Sequence, residues 1–375
     1  MKILFTLPRL SYSGAPKMMA WIANQMAERG YEVHLVTFYS EEQARLLHEN
    51  VRIRSLKIDK SRSRIIRNTT GMLKTICRLH KTINELKPDI VVSFLDSVGC
   101  AYLPIGRLFT KAKYVISERA DPYARHGITF ALRVFLKKFA HKTVFQTDGA
   151  QRFFENCKRI YDNSVVIPNP VVISDCVMSL QKRIPSFAER DKRIVTVGRL
   201  ALYQKRQDIL LDAFKLFHEK NPEYILMIYG DGPDGRKIQE MIVERKLSGY
   251  AFLAGRTDRV EKEIFNAAAF TLTSDFDGIP NALIEAMSIG VPSVSTDCSP
   301  GGAALLIRDG ENGFIVPRGD VEAIAERLSR IVSDETLANC FSKNSVYITN
   351  EFSESVIAEK WEALFRHTAE TKRWA

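Results

Sequence analysis

The chain has 375 residues, of which 45% are hydrophobic and 26% charged, and it carries 54 lysines and arginines against 44 acidic residues. This composition is typical of a globular protein of two or three domains, and it excludes a disordered chain, a collagen and a disulfide-stapled miniprotein. The six cysteines lie far apart without a Cys-x-x-Cys pair, so we expect neither a zinc site nor a disulfide framework. The sequence therefore favours a reducing cytoplasm.

The first apolar run, Lys2 to Leu7, is interrupted by Pro8 and Arg9. It is too short for the apolar region of a signal peptide, and we predict a first β-strand instead. No apolar run approaches the roughly 18 residues that a membrane-spanning helix requires. Any membrane association is therefore expected to be peripheral.

Short β-rich runs alternate with longer helical patterns along the chain, which is typical of doubly wound parallel sheets. We predict a first series of strands near residues 2–7, 32–38, 89–95, 113–117, 143–146 and 164–167. We predict a second series near residues 193–198, 224–230, 250–254, 269–273 and 293–296. The sequence thus predicts an α/β fold of two Rossmann-like domains that face a cleft.

The boundary between the two series is Ile167-Pro168-Asn169-Pro170, where two prolines in three residues indicate a stiff hinge. We expect an N-terminal domain over 1–168 and a second Rossmann-like domain over 169–350. The last segment, 351–375, is predicted to be a helix that packs back on the N-terminal domain.

Charge differs sharply between the two halves. Residues 1–168 carry 28 basic and 14 acidic side chains, whereas the remainder carries 26 basic and 30 acidic ones. Segments 51–90 and 105–142 hold nearly all of the basic excess. Such an excess fits an anionic surface, and we favour lipid headgroups over nucleic acid because the basic segments lack interleaved stacking aromatics. We expect electrostatic attachment to an anionic membrane surface.

Segment 64–84 has the pattern of an amphipathic helix, with apolar side chains at helical spacing and basic side chains around them. A helix that lies on a membrane surface fits this pattern. A helix that packs on a sheet with a solvated basic face fits it equally well, because Ile76 and Leu79 serve as core residues in either case.

Two strand ends carry candidate binding loops. The first strand leads into Ser11-Tyr12-Ser13-Gly14-Ala15-Pro16, whose small residues allow backbone N–H groups around Gly14 to approach a phosphate or a sugar. The strand at 193–197 ends in Gly198, followed by Arg199 and Lys205. Two permanent cations at a strand end can hold a diphosphate and neutralise a leaving group without a metal.

Residues 274–292 carry the strongest motif, a strand end followed by a Gly-Ile-Pro-Asn turn and a helix that contains Glu285. The turn offers free N–H donors and the positive end of a helix to a phosphate. Glu285, flanked by apolar residues, can accept hydrogen bonds from a vicinal diol such as ribose.

With these motifs in place, the sequence resembles the retaining glycosyltransferases of family 4, which have the two-domain GT-B fold. The resemblance covers most of the chain, and no single motif carries it. The matching motifs are the Gly14 loop, Ile116-Ser117-Glu118-Arg119, Ile167-Pro168-Asn169-Pro170, Gly198-Arg199-Leu200 with Lys205, Gly230-Asp231-Gly232-Pro233, and Asp277-Gly278 through Glu285-Ala286-Met287.

The resemblance implies that the domain over 1–168 faces the acceptor and the membrane, and that the domain over 169–350 binds the nucleotide sugar. It also implies a role for each matching residue. Arg199 and Lys205 would bind the donor diphosphate, Glu285 the ribose, and Arg256 the base, while Glu118 and Arg119 would lie on the acceptor side. Asp277 would contact the transferred sugar, together with the backbone of Gly278, Ile279, Pro280 and Asn281.

Three positions depart from the family pattern. Asp277 stands where the family has a glutamate, which is one methylene longer. Ser13-Gly14-Ala15-Pro16 stands where the family often has Gly-Gly followed by a glutamate, and Arg119 stands where a histidine is common. His126, close by, is a candidate substitute for that histidine.

Asp275-Phe276-Asp277 also forms an Asp-x-Asp, the metal-binding motif of a different glycosyltransferase fold. We favour the metal-independent interpretation, because Arg199 and Lys205 supply the charge that a metal would bring. We therefore predict neither a metal nor a cofactor.

The function that these expectations support is transfer of a sugar, a hexose or an N-acetylhexosamine, from a nucleotide diphosphate sugar with retention of configuration. The resemblance is greatest to bacterial enzymes that extend lipid-linked oligosaccharides for O-antigen or capsule, and we expect a UDP-linked donor and a location at the inner face of the cytoplasmic membrane. Two alternatives stay open: a nucleotide-sugar epimerase, and a non-catalytic, membrane-associated protein of the same fold.

Overall fold

The computed structural model describes residues 1–10, 14–40, 47–58, 70–94, 97–119, 121–124 and 127–370. The chain divides into two compact units. Unit 1 comprises Met1–Asn169 with Ser355–Ala375, and unit 2 comprises Pro170–Glu354.

Unit 1 is built on seven described strands with helices between them. The strands are β1 Lys2–Arg9, β2 Glu32–Ser40, β3 Val51–Ser55, β4 Ile90–Phe94, β5 Lys113–Ser117, β6 Lys142–Phe145 and β7 Ser164–Val166. The helices are α1 Gly14–Glu28, α2 Thr70–Leu86, α3 Ser97–Phe109, α4 Ile128–Lys137, α5 Asp148–Arg152 and α6 Lys158–Tyr161.

Unit 2 is built on six strands. The last helix of the chain begins at the final residue of unit 2 and continues in unit 1. The strands are β8 Asp191–Val197, β9 Ile225–Tyr229, β10 Ala251–Gly255, β11 Ala267–Leu272, β12 Ser293–Thr296 and β13 Phe314–Val316. The helices are α7 Asp175–Gln181, α8 Leu202–Lys205, α9 Gln207–Lys220, α10 Gly235–Glu244, α11 Val260–Ile264, α12 Asn281–Ser288, α13 Gly302–Leu306, α14 Val321–Ser333, α15 Glu335–Ser345, α16 Ile348–Glu351 and α17 Glu354–Glu370, with a 3₁₀ turn at Phe187–Glu189.

All strands within each sheet are parallel. The first six strands of unit 1 are arranged in the same order as the six strands of unit 2. The order is β3-β2-β1-β4-β5-β6-β7 in unit 1 and β10-β9-β8-β11-β12-β13 in unit 2. Central strands such as β4 and β11 are buried along their whole length, because helices cover both faces of a parallel sheet. The α/β fold of two Rossmann-like sheets is confirmed.

The sequence prediction places every described strand except β3 and β13. Both lie at the edge of their sheet. In β3, Val51 is buried while Arg52 and Arg54 point away from the core, so the strand carries a strong basic signal and only a short apolar one. Charged side chains on an edge strand are a common device against pairing with another chain.

Helix α2 packs on the sheet of unit 1. Leu79 and Ile83 are each 1% exposed and lie in one apolar cluster with Leu4 and Val91. Over residues 70–84, the segment therefore forms a helix that packs on the sheet, which is the second of the two interpretations of segment 64–84. Residues 64–69 lie outside the described part.

Helix α17 is anchored in unit 1 by Trp361, which is fully buried. Its ring lies 6.3 Å from that of Phe94 and 5.5 Å from that of Phe365, centroid to centroid, and Phe365 in turn contacts Phe5. The end of the chain thus completes the core of the first unit. Among the described helices, none has the length and hydropathy needed to cross a bilayer.

Candidate functional site

The order of strands in unit 2 reverses direction between β8 and β11, which are adjacent at its centre. Loops that leave the carboxyl ends of two such strands run in opposite directions and open a crevice, which is where open α/β sheets bind ligands. The loop after β8 begins at Gly198, and the loop after β11 begins at Thr273. The predicted donor residues of unit 2 follow these strand ends or that of β10.

The floor of this crevice is backbone packed on backbone. A Cβ atom on Gly230 would lie 1.8 Å from the carbonyl oxygen of Gly198, and one on Gly232 would lie 2.3 Å from that of Leu200. The N–H of Leu200 donates to the carbonyl of Asp231 at 3.0 Å, which ties the two loops together. Gly230 has φ of +139°, so only glycine suits this position on both counts.

A cavity of about 410 Å³ opens above this floor. It is lined by Val197, Gly198, Arg199, Tyr229, Gly230, Asp231, Arg256 and Thr257. Arg199 and Arg256 are exposed. The backbone of Arg199 is held by Gln207, whose side-chain amide donates to its carbonyl at 2.9 Å. Arg199 and Arg256, which the sequence analysis assigned to the diphosphate and to the base, therefore line one cavity. The guanidinium of Arg199 makes no ion pair within the described ranges.

Two ion pairs join the segment after β8 to the segment after β11. The Lys205 ammonium pairs with the Asp277 carboxylate, and the Arg206 guanidinium donates to the Asp275 carboxylate at 2.9 Å. All four side chains are between 16% and 31% exposed, so each pair is accessible from solvent. Both carboxylates of the Asp-x-Asp sequence are therefore occupied by cations of this chain.

Hydrogen bonds to backbone carbonyls also join the same two segments. The N–H of Asp275 donates to the carbonyl of Gln204 at 2.9 Å. The buried hydroxyl of Thr273 donates to the carbonyls of Lys205 and Arg206 at 2.9 and 3.1 Å. Lys205 also lies over Gly198, where a Cβ would be 3.6 Å from its Cε. The Lys205 ammonium is thereby held close to the glycine loop, between Gly198 and Asp277.

Helix α12 begins directly after this segment. Ile279 and Pro280 are buried, Pro280 is the residue before the helix, and Asn281 is exposed at its first position. The turn before the helix packs directly on Gly302, since a Cβ on Gly302 would lie 1.8 Å from the carbonyl oxygen of Gly278. The helix therefore directs its first N–H groups out of a rigid loop.

Glu285 lies one turn into α12 and is half-buried, while its neighbours Ile284 and Ala286 are buried. Glu285 lies in the same unit as the Lys205 and Asp277 pair, on the helix that follows the loop of Asp277. This placement is compatible with the ribose contact expected for it.

The predicted acceptor-side residues lie at the carboxyl end of β5 in unit 1, and both are engaged inside the unit. The buried Glu118 carboxylate forms an ion pair with the buried Lys137 ammonium. The Arg119 guanidinium lies 4.4 Å from the Phe94 ring centroid and donates to the Asn169 side chain at 2.7 Å. Burial lowers the pKa of Arg119 to about 9.

Gly14, the remaining predicted donor residue, is the first residue of α1. It follows the carboxyl end of β1, which neighbours β4 at the reversal of strand order in unit 1. Ser11, Tyr12 and Ser13 of its loop, as well as His126, lie outside the described residues.

Arg206 is the site residue that the sequence analysis missed. It adopts a left-handed conformation with φ of +48°, and it separates α8 from α9. Its guanidinium also donates to Asp208, at 3.0 to 3.2 Å, and these carboxylates raise its pKa. The signal was present in the sequence as a second cation directly after Lys205, but its partner Asp275 is 69 residues away.

Comparison with known proteins identifies two family models that together cover most of the chain. The model described as "Glycosyl transferase 4-like domain" matches residues 13–170, and the one described as "Glycosyl transferases group 1" matches residues 178–346.

One curated relative matches nearly the full length, with 24% identity over 96% of this chain and 97% of its own. It is the GalNAc-alpha-(1->4)-GalNAc-alpha-(1->3)-diNAcBac-PP-undecaprenol alpha-1,4-N-acetyl-D-galactosaminyltransferase of Campylobacter jejuni.

Two solved structures have a similar fold. The apo form of the lipopolysaccharide outer core galactosyltransferase WaaB has a TM-score of 0.79 at 21% identity, over 98% of this chain and 99% of that one. Anabaena HepE in complex with UDP and glucose has a TM-score of 0.72 at 18% identity, over 98% and 99%.

The conformation of Arg206 provides a test of the local geometry. A left-handed conformation costs a residue with a Cβ atom about 1 kcal/mol, and glycine nearly nothing. Both Arg206→Gly and Arg206→Ala lose the same ion pairs, so the difference between them isolates the backbone. We expect Arg206→Gly to be more stable than Arg206→Ala by about 1 kcal/mol in urea unfolding. Equal stability of the two variants would contradict the assigned conformation.

Proposed function

We propose a specific reaction for this chain, which belongs to glycosyltransferase family 4 and is a glycosyltransferase of the GT-B fold. The reaction is retaining transfer of a hexose or an N-acetylhexosamine from a nucleotide diphosphate sugar to a hydroxyl of a lipid-linked oligosaccharide or polysaccharide precursor. The observation that carries the proposal is the grouping of Arg199, Lys205, Asp277 and the start of α12 around the reversal of strand order in unit 2.

The donor diphosphate has a natural place in this group. Arg199 lines the cavity with its guanidinium exposed, and Lys205 lies against Gly198, so two permanent cations flank one loop. Charge-assisted hydrogen bonds from such cations are strong and favour phosphate oxygens. The N–H groups at the start of α12 add donors that no side chain has to supply.

The Lys205 and Asp277 ion pair lies where the proposed donor would bind. A diphosphate that binds beside Lys205 competes with Asp277 for the same ammonium protons, and a sugar hydroxyl that binds to Asp277 compensates that carboxylate. We infer that the donor inserts between the two side chains. Asp277, one methylene shorter than glutamate, sets how closely the sugar approaches the Lys205 ammonium.

In the proposed transfer, the bond between the anomeric carbon and the β-phosphate oxygen breaks while the acceptor oxygen attacks from the same face. The acceptor proton passes to the departing phosphate oxygen, so no second carboxylate is needed as a base. Lys205 and Arg199 stabilise the charge that develops on the diphosphate, a role for which preorganised cations are well suited.

The relatives support a particular donor and acceptor. The HepE structure contains UDP, which supports a UDP-linked donor here. The Campylobacter relative is named for an undecaprenyl-diphosphate-linked glycan, which supports a lipid-linked acceptor. The named activities are transfers, which favours transfer over epimerisation.

We further propose that the protein acts at the inner face of the cytoplasmic membrane. A lipid-linked acceptor stays in the bilayer, and residues 1–168 carry a net charge of +14 that an anionic surface attracts. The first unit would then face the membrane, and the net charge of −4 on the rest of the chain would contribute nothing to attachment.

Removal of either cation tests the proposed site. Lys205→Ala and Arg199→Ala should each lower transfer from a UDP-sugar about 100- to 1000-fold at unchanged stability, because each removes a contact to the leaving group. Steady-state transfer with a panel of UDP-sugars provides the measurement. Lys215→Ala on α9 and Arg236→Ala on α10, both exposed, are matched controls that should retain full activity. Wild-type turnover of Lys205→Ala would refute the assignment.

Glu285→Gln tests the ribose contact. This contact exists in both the ground state and the transition state, so its loss should weaken donor binding more than it lowers turnover at saturation. Calorimetric titration with UDP and measurement of kcat separate the two effects. Glu244→Gln, at an exposed position on α10, is the control. Unchanged affinity for UDP would show that Glu285 has no part in nucleotide binding.

Metal independence is tested by chelation. Both Asp275 and Asp277 are neutralised by cations of the chain, so we expect full activity in the presence of EDTA. A complete loss that manganese restores would instead support the Asp-x-Asp interpretation.

A further inference from the structure

Helix α4 in unit 1 exposes apolar side chains and buries a charged one, which is the reverse of an ordinary surface helix. Ile128 is 89% exposed, Leu132 55% and Phe135 54%, and their spacing of four and three residues places them on one face. The charged Lys137 is instead 2% exposed and pairs with the buried Glu118. A helix that buries a lysine and presents leucine and phenylalanine to solvent indicates an apolar partner for its outer face.

The apolar face extends to the end of α3. Leu108 and Phe109 are 61% and 69% exposed. The guanidinium of Arg107 donates to the carbonyl of Phe139 at 3.3 Å, which brings the end of α3 beside the segment that follows α4, and the rings of Phe135 and Phe139 are in edge contact at 5.8 Å. We call Leu108, Phe109, Ile128, Leu132 and Phe135 the apolar face of unit 1.

Positive charge borders this face. The lining of a cavity of about 580 Å³ includes the apolar Leu108 and Phe109 as well as the cationic Lys87, Lys111 and Lys113. Its one acidic lining residue, Asp89, already accepts a hydrogen bond from the backbone N–H of Lys2 at 2.7 Å. An anion that enters this cavity therefore meets a net positive lining.

Positive charge also surrounds a neighbouring buried side chain. Burial, together with Arg107, Lys113 and Arg159, lowers the pKa of His141 to about 4. These three cations add to the positive charge at this end of the sheet. An apolar face with a cationic border matches the boundary between the headgroups and acyl chains of an anionic bilayer.

We propose that the apolar face of unit 1 inserts into the headgroup and acyl boundary of an anionic bilayer, and that the lysine-lined cavity beside it receives a lipid phosphate. The inference rests on the proposed action at a membrane and goes beyond charge attraction, because it assigns the contact to α4 and the end of α3. In helix α2, by contrast, Leu79 and Ile83 are buried in the core, and Leu73 is the single large apolar side chain that is more than half exposed among its described residues.

Vesicle sedimentation tests the insertion. Wild-type protein should bind vesicles that contain phosphatidylglycerol, and part of this binding should persist at about 0.5 M salt, where attraction between exposed charges is largely screened. Leu132→Ser and Phe135→Ser should each weaken partitioning about tenfold, because each removes one inserted side chain. Val243→Ser, at a position 60% exposed on α10 of unit 2, should bind as wild type does.

A second readout reports the environment of α4 directly. Tryptophan emission of Phe135→Trp should shift to shorter wavelength when phosphatidylglycerol vesicles are added, whereas that of Val243→Trp should not. Lys111→Gln should weaken binding to anionic vesicles, Lys215→Gln should not, and millimolar inorganic phosphate should not release the wild type.

Several results would overturn the proposal. These are wild-type binding by the Leu132→Ser and Phe135→Ser double variant, an unshifted emission of Phe135→Trp, or release by inorganic phosphate, which would assign the cavity to a soluble phosphate. A dimer that Phe135→Ser converts to a monomer would assign the face to a second copy of the chain. Cleavage of UDP-sugar without vesicles is measured in parallel for every variant, so that failure of the proposed reaction is distinguished from failure of insertion.

Discussion

The structure of the candidate site depends on opposite charges at the ends of two adjacent strands of unit 2. Lys205 and Arg206 close the short helix after β8, and Asp277 and Asp275 follow β11, so that two cations and two carboxylates neutralise one another at the reversal of strand order. Ion pairs that are partly exposed to solvent contribute little to stability. In the reaction that we propose, a nucleotide diphosphate sugar would replace these contacts.

This arrangement depends on a floor that contains no side chains. Gly230 and Gly232 pack against the backbone of Gly198 and Leu200, and Gly302 packs against that of Gly278, each at a distance that excludes a Cβ atom. The loops after β8 and β9 therefore pack backbone against backbone, and so does the loop after β11 against Gly302. No side chain at these glycines can cover the N–H groups at the start of α12 or the Lys205 ammonium.

Unit 1 presents a different balance of charge. At the carboxyl end of β5 its ionic groups are internal: Glu118 pairs with Lys137, and Arg119 lies under Phe94 and against Asn169. Lys137 lies on the inner face of α4, opposite Ile128, Leu132 and Phe135, and pairs there with Glu118. This buried ion pair marks the face of α4 that turns inward, and the opposite face is the apolar surface for which we propose a bilayer partner.

The sequence by itself determined the architecture and most of the candidate donor site. Alternation of apolar runs with helical patterns is a local signal, and it is strong where a strand is buried on both faces, as in β4 and β11. It is weak where an edge strand has few apolar residues, as in β3 with Arg52 and Arg54, or is only three residues long, as in β13, and these two strands were missed. Gly198, Lys205 and Glu285 could be predicted because strand ends and helix starts are also local.

Only the tertiary structure decided which charges meet. Arg206 and Asp275 are 69 residues apart, and Lys137 is buried although lysine is ordinarily found at the surface. Ion pairs of this kind depend on the order of strands in a sheet, which places distant loops side by side and which no local pattern encodes. Whether an apolar residue such as Phe135 faces the core or the solvent is settled in the same way, by which neighbouring element offers a partner to the other face of its helix.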